Sequence, residues 1–159
     1  MPELVVVSNT LGALLFVVLG VVLAANWRGG SVGVALGLSC VASVVMFAAQ
    51  AAYRLDAVEL RLVHLYLLEV VRDGAWFAVL LSILRLGRAG QTALRRRLVY
   101  AVPALLLILQ LVLVASPAVR GAVAGWLGRS GTPVFLGFLM LAITGVVLVE
   151  VLFRNTRPE

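Results

Sequence analysis

The sequence predicts an all-α fold, a polytopic membrane helix bundle of about five transmembrane helices. Of its 159 residues, 63% are hydrophobic and only 13% are charged, and the mean hydropathy is +1.12. Soluble domains are about half apolar and about one-quarter charged. The apolar residues also fall into runs of about 20, the length that crosses a bilayer as a helix. No run alternates with the two-residue period of a barrel strand, so we expect helices with the lipid bilayer as their partner.

Five runs have the length and composition of a spanning helix. The fourth run is short and carries Pro103 near its start. The segment 116–131 is rich in Gly and Ala and contains Trp126, which is compatible with an interfacial turn or with a half-helix. The five predicted spans are residues 4–25, 31–53, 62–84, 98–115 and 132–153.

The basic charge does not indicate a nucleic-acid partner. The net charge is +6, and all thirteen basic residues are arginines. All of them except Arg72 lie between or beyond the apolar runs rather than on one face, which is the pattern of charges that orient a membrane protein. The single cysteine, Cys40, has no second cysteine for a disulfide or a metal site. The N-terminus lacks the positive region of a signal peptide, so the first run is predicted to be a retained helix.

The third run contains the most informative residues. At about 100° per residue, Glu69, Arg72, Asp73 and Trp76 share one helix face. Three charges at the centre of a membrane helix cost on the order of 8–10 kcal/mol, about as much as the apolar residues of that helix return. This face is therefore expected to meet other helices or a wet cavity, with Arg72 pairing Glu69. It is either a signal-responsive polar site or ion relay, or a salt bridge that fixes helix packing or dimer register.

Three further features are weaker. Gly33 and Gly37 let helices approach closely, either within the chain or between two copies. His64 stands without a second ligand at metal-binding spacing and is expected to be structural. A candidate interface anchor lies at the end of the last run, and it consists of Glu150, Arg154 and Asn155.

No motif for catalysis, nucleotide binding or metal binding occurs in the chain. The sequence lacks a Walker A loop, a G-x-S-x-G elbow and an H-E-x-x-H pair. It also lacks a kinase-type phosphoacceptor histidine followed by a glycine-rich ATP lid. We therefore expect no enzymatic activity, no cofactor and no metal for this chain.

Two motifs resemble a known family. The segment from Glu69 to Trp76, with its Glu-x-x-Arg-Asp-x-x-Trp pattern, is similar to the third membrane helix of the PEP-CTERM system sensor histidine kinases (PrsK). Residues 149–159 are similar to the stretch in which a membrane helix of that family exits with Arg-Asn-Thr and Pro-Glu. The resemblance extends over nearly the whole chain, but only these two motifs are distinctive. The matching positions are Glu69, Arg72, Asp73, Trp76, Glu150, Arg154 and Asn155.

The resemblance implies a sensory and anchoring role in two-component signal transduction. Members of the family continue into further helices, a GAF-type domain and a kinase core, so the chain is expected to be the N-terminal part of a longer protein. A parent kinase implies self-association and a response regulator as partner. The family is linked to exopolysaccharide production and PEP-CTERM protein sorting in the inner membrane of Gram-negative bacteria. None of its catalytic residues has a counterpart here.

Two other functions compete with this one. A transporter or channel subunit requires broken helices and a polar path across several helices, whereas only the third run is strongly polar. A stand-alone structural membrane protein has no need of charges at mid-membrane, so the polar face argues against it.

The arginine distribution predicts a topology that reporter fusions can test. With the N-terminus outside and the 85–97 loop in the cytoplasm, eight loop and terminal arginines lie inside and four outside. A reporter that works only in the cytoplasm should then be active when it is fused at Gly90. A reporter that works only outside should be active when it is fused at Gly125. An external Gly90 would contradict the predicted orientation.

Overall fold

The computed structural model describes residues 2–26, 30–57, 61–86, 93–127 and 132–156. These residues form six α-helices, and no strand occurs among them. The predicted all-α, polytopic fold class is confirmed. The helices are α1 (Pro2–Ala25), α2 (Ser31–Arg54), α3 (Leu62–Leu86), α4 (Ala93–Ala115), α5 (Pro117–Leu127) and α6 (Thr132–Thr156).

Four helices are long and apolar enough to cross a membrane within the described residues. They lie in α1, α2, α4 and α6, and the chain is accordingly a helical membrane protein. The helix α3 has a spanning length of 25 residues, but Glu69, Arg72 and Asp73 near its middle set it apart from those four. Its assignment as a fifth span therefore stays a prediction.

Helix α5 lies in the segment 116–131, for which the sequence was compatible with either an interfacial turn or a half-helix. Residues Pro117–Leu127 form a helix, so most of the 116–131 segment is helical rather than a turn. Ser116 begins it, because its hydroxyl accepts a hydrogen bond from the Val119 amide at 3.4 Å and its carbonyl accepts one from the Arg120 amide at 3.1 Å. Pro117 follows at the first helical position, where its missing N–H costs nothing.

The chain divides into two compact units, Met1–Val79 and Leu80–Glu159. In the first unit, α1 and α2 pack as an antiparallel pair. Gly12 lies against the Phe47 ring, where an added Cβ would come within 3.3 Å of ring carbons, and Gly20 lies opposite Cys40. Gly30 starts α2 with a φ of 106°, a conformation that side chains rarely allow.

The faces of this pair differ in polarity. Ser39, Cys40, Ser43 and Met46 form the buried stripe of α2. Most of α1 presents large apolar side chains outward, such as Leu15 at 70% exposure. Hydrocarbon covers such a surface without cost, whereas water does not.

In the second unit, α4 and α6 pack through one polar contact and several apolar ones. Gln110 is fully buried, and its Nε2 donates to the Val134 carbonyl of α6 at 3.1 Å. The end of the same side chain lies directly on the backbone of Gly137, where a Cβ would collide with Oε1. Gly137 therefore makes room for Gln110.

The helix α4 continues through Pro103, which is buried.

Replacing Gly137 by alanine should destabilise the second unit. The added methyl group displaces Gln110 and strains its bond to Val134, and such overpacking typically costs about 1–3 kcal/mol. The free energy of unfolding can be measured by titration with sodium dodecyl sulfate from mild detergent micelles.

Gly145→Ala is the matched control, because nothing lies within 4 Å of a Cβ at that position of the same helix. It should leave the stability unchanged or raise it slightly, since alanine favours helix. Equal losses for the two variants would contradict the close contact at Gly137.

Candidate functional site

The polar cluster of α3 is defined here as Glu69, Arg72 and Asp73, and it lies in the first unit. Arg72 donates two hydrogen bonds to Asp73 Oδ1, from Nε at 3.1 Å and from Nη2 at 2.8 Å. The same Nη2 lies 3.7 Å from Glu69 Oε1. The prediction that Arg72 pairs with Glu69 is therefore confirmed as an ion pair, but the shorter contact is with Asp73.

The cluster is mostly withdrawn from the surface. The side chains of Arg72, Glu69 and Asp73 are 24%, 26% and 20% exposed. The guanidinium of Arg72 pairs with the carboxyl groups of both Glu69 and Asp73. A change in one of these two ion pairs therefore changes the other. Glu69 has the longer contact and no hydrogen bond to Arg72, and it is therefore the member that can change partner at the lowest cost.

Trp76 lies one turn beyond the cluster and connects α3 to both other helices of the unit. Its indole Nε1 donates to Ser43 Oγ of α2 at 3.1 Å. Its ring is tilted at 59° against Phe16 of α1, with centroids 6.0 Å apart, and Phe16 in turn stacks on Phe47 of α2 at 5.9 Å. Such aromatic pairs add specific attraction to their apolar burial. Trp76 is thus the point where α1, α2 and α3 meet.

The hydrogen bonds at this point form a chain. Ser43 accepts from Trp76 and donates its hydroxyl to the Ser39 carbonyl at 2.8 Å, and Ser39 donates to the Ala35 carbonyl at 2.9 Å. Both serines have no exposed surface. Because each buried hydroxyl is satisfied, the polar residues cost little here and fix the position of α3 against α2.

The other predicted site residues are less completely defined. Gly33 and Gly37 are half-buried on α2, and their role in close helix packing, within the chain or between two copies, stays a prediction. Glu150 is exposed near the end of α6, but the side chains of Arg154 and Asn155 lie outside the described residues, so the interface anchor also stays a prediction.

His64 has a local structural role. Its Nδ1 accepts a hydrogen bond from the Arg61 amide at 3.2 Å, while its own amide donates to the Arg61 carbonyl at 2.9 Å. This reciprocal pair satisfies backbone groups where α3 begins. In the part of the chain that is described, no group of three or more His, Cys, Asp or Glu residues could hold a metal ion.

Sequence reasoning missed the partners of Trp76 and the role of Gln110. Ser43 carried no signal beyond its small size, and Phe16 carried none because phenylalanine is ordinary in an apolar helix. Gln110 did carry a signal, since it is the one amide side chain in the run 98–115. Polar residues in such runs usually pack inward.

Comparisons with known proteins give no relatives. No protein-family model matches the chain, and neither the curated proteins nor the solved structures give a match. The functional proposal therefore rests on the geometry of the site and on the resemblance of its motifs.

The bond between Trp76 and Ser43 should be measurable as a coupling energy. A double-mutant cycle with Trp76→Phe and Ser43→Ala should give about 0.5–1.5 kcal/mol of interaction in the free energy of unfolding. Detergent titration of the four proteins measures it.

Ser39→Ala is the matched control, because Ser39 is equally buried but bonds only within its own helix. Its coupling to Trp76→Phe should stay below about 0.5 kcal/mol. If Ser43→Ala and Ser39→Ala give equal coupling energies with Trp76→Phe, the hydrogen bond between Trp76 and Ser43 is not the source of the coupling.

Proposed function

We propose that the chain is the membrane sensory and anchoring region of a two-component sensor histidine kinase, with the α3 polar cluster as its input site. The observation that carries the sensory role is the shared guanidinium of Arg72, which lies 2.8 Å from Asp73 and 3.7 Å from Glu69. Two unequal partners for one cation allow two arrangements of the cluster. A signal that favours one arrangement shifts the population of helix packings.

Trp76 supports this proposal because it offers a route from the cluster to the rest of the unit. It lies on the same face of α3 and contacts Ser43 of α2 and Phe16 of α1. A small shift or rotation of α3 must therefore change the packing of two other helices. Packed elements respond to such a shift by changing between discrete arrangements rather than by bending gradually.

The four apolar helices support the anchoring role, because they are long and apolar enough to cross a membrane. The inner membrane of a bacterium is the proposed location, with the N-terminus outside and the 85–97 loop in the cytoplasm. The arginine bias supports this orientation. In this topology the C-terminal end of α6 faces the cytoplasm, where a kinase core and its response regulator would work.

The kinase assignment and its link to exopolysaccharide and PEP-CTERM protein sorting are supported only by the two sequence motifs. They are tested apart from the sensory role, by reading the coding sequence after the codon of Glu159. Continuation into a histidine-bearing dimerisation helix and an ATP-binding domain would support the assignment. A stop codon there would refute it and favour a stand-alone membrane subunit.

A transporter or channel subunit is less well supported. That function needs unwound helices that line a polar path, and α4 remains helical through Pro103. In the described residues, the charged side chains that lie together and partly buried are those of the α3 cluster. A single cluster suits a switch better than a pathway.

Glu69→Gln tests the sensory role. The variant keeps the Arg72–Asp73 pair but removes the competing charge, so it should change the balance of packings while leaving the fold intact. Cys40 reports the packing, because it is the only cysteine of the chain and is buried against α1 opposite Gly20. The observed packing, in which Arg72 holds Asp73 and Cys40 is buried, becomes more favoured. The rate at which Cys40 reacts with N-ethylmaleimide in proteoliposomes should therefore fall about two- to fivefold, as expected for a local opening that becomes harder by up to about 1 kcal/mol.

Glu3→Gln is the control, since Glu3 is exposed at the start of α1. It should leave the rate unchanged. A switch predicts that Glu69→Gln changes the Cys40 rate while the detergent unfolding midpoint stays constant. An unchanged rate, or a rate that changes only in step with the midpoint, would mean that the cluster is a structural ion pair.

A further inference from the structure

The second unit contains a groove that the proposed function does not use. It lies between α4 and α6, has a volume of about 200 Å³ and is partly open at the surface. Two of its rim residues, Leu109 and Met140, are about half exposed. Apart from Gln110 and Gly137, its lining is apolar and consists of Leu106, Leu109, Leu113, Pro133, Leu136 and Met140.

The groove has one polar feature, the carbonyl end of Gln110. This side chain has no exposed surface and uses Nε2 to bind the Val134 carbonyl, but its Oε1 has no hydrogen-bond partner in the described part of the chain. An unpaired buried acceptor typically costs about 1–3 kcal/mol. Such a group in a native structure usually has a partner of its own, a ligand or a water molecule.

We propose that the groove binds a neutral, lipid-soluble alcohol, whose hydroxyl donates to Gln110 Oε1 while its apolar body fills the space between α4 and α6. Oε1 lies on Gly137, which also lines the groove, so a donor held there can approach the free carbonyl while Nε2 keeps its bond to Val134. The ligand must be a donor because the free atom of Gln110 is an acceptor.

The lining determines the other properties of the ligand. No charged side chain is present in the groove, so a charged group there would be buried without a counterion, at high cost. An apolar cavity of about 150 Å³ holds a benzene molecule, so 200 Å³ suits a ring or short chain of roughly six to ten heavy atoms. Both helices contain membrane-spanning segments, and the ligand therefore comes from the bilayer.

A photoreactive octanol that carries a diazirine on its chain tests the proposal. The full chain in proteoliposomes is irradiated with the probe, and the labelled residues are identified by mass spectrometry. We expect the label on the groove residues of α4 and α6. Octan-1-ol should reduce that labelling at least about fivefold more effectively than octane, because only the alcohol gains the hydrogen bond.

Two variants localise the site. Gln110→Met keeps the length of the side chain without its acceptor and should reduce labelling of the groove about fivefold. Leu109→Phe narrows the groove and should reduce labelling as well. Leu105→Phe adds the same ring on α4 outside the lining, at a residue that is 67% exposed, and should leave labelling unchanged.

Three results would overturn the proposal. The first is label spread evenly over the lipid-facing surface, and the second is equal competition by octane and octan-1-ol. The third is equal labelling of the wild type, Gln110→Met and Leu109→Phe. The competition experiment uses the wild-type chain, so it decides the question even if Gln110→Met does not fold.

Discussion

The cation of Arg72 imposes the main constraint on this protein. A guanidinium stays charged in any protein environment, and a charge among apolar helices is tolerated only if it is paired. Asp73 supplies the short partner at 2.8 Å, and Glu69 lies within ion-pair distance at 3.7 Å. The three residues thus form one electrostatic unit on a helix that would otherwise be as apolar as its neighbours.

The packing of the first unit is arranged around the same helix face. Trp76 follows the cluster after one turn and brings an indole donor to Ser43 and an aromatic surface to Phe16. Between α1 and α2, Gly12 gives Phe47 the room to reach Phe16. Small residues therefore bring the helices close together, and polar and aromatic contacts determine their register. A change at the cluster has a short physical route to both helices.

The sequence predicted most of the fold because hydropathy alone determines where membrane helices lie. The helices α1, α2 and α3 begin and end within about two residues of the predicted runs, a normal uncertainty for helix ends. Helix α4 begins five residues earlier than residue 98, because the arginines before it are good helix formers outside the apolar run. Helix α5 was not resolved from the sequence, although Ser116 and Pro117 are a standard start signal.

The site was only partly predictable. Helical periodicity placed Glu69, Arg72, Asp73 and Trp76 on one face, since those positions depend on a single helix. The contacts to Ser43 and Phe16 depend on how three helices pack, and no local pattern contains that information. The same limit applies to Gln110 and Gly137, which lie 27 positions apart and meet only when α4 and α6 pack.

The most direct test of the central claim compares a single charge deletion with the removal of all three charges. Arg72→Met leaves two carboxyl groups without their cation, whereas the triple variant Glu69→Gln/Arg72→Met/Asp73→Asn leaves no charge to be paired. The measurement is the free energy of unfolding in detergent. If the charges form one interdependent unit, the single variant loses on the order of 2 kcal/mol or more, and the triple variant regains most of that loss. A triple variant that is less stable than the single one would show that the three charges act independently and would contradict the account.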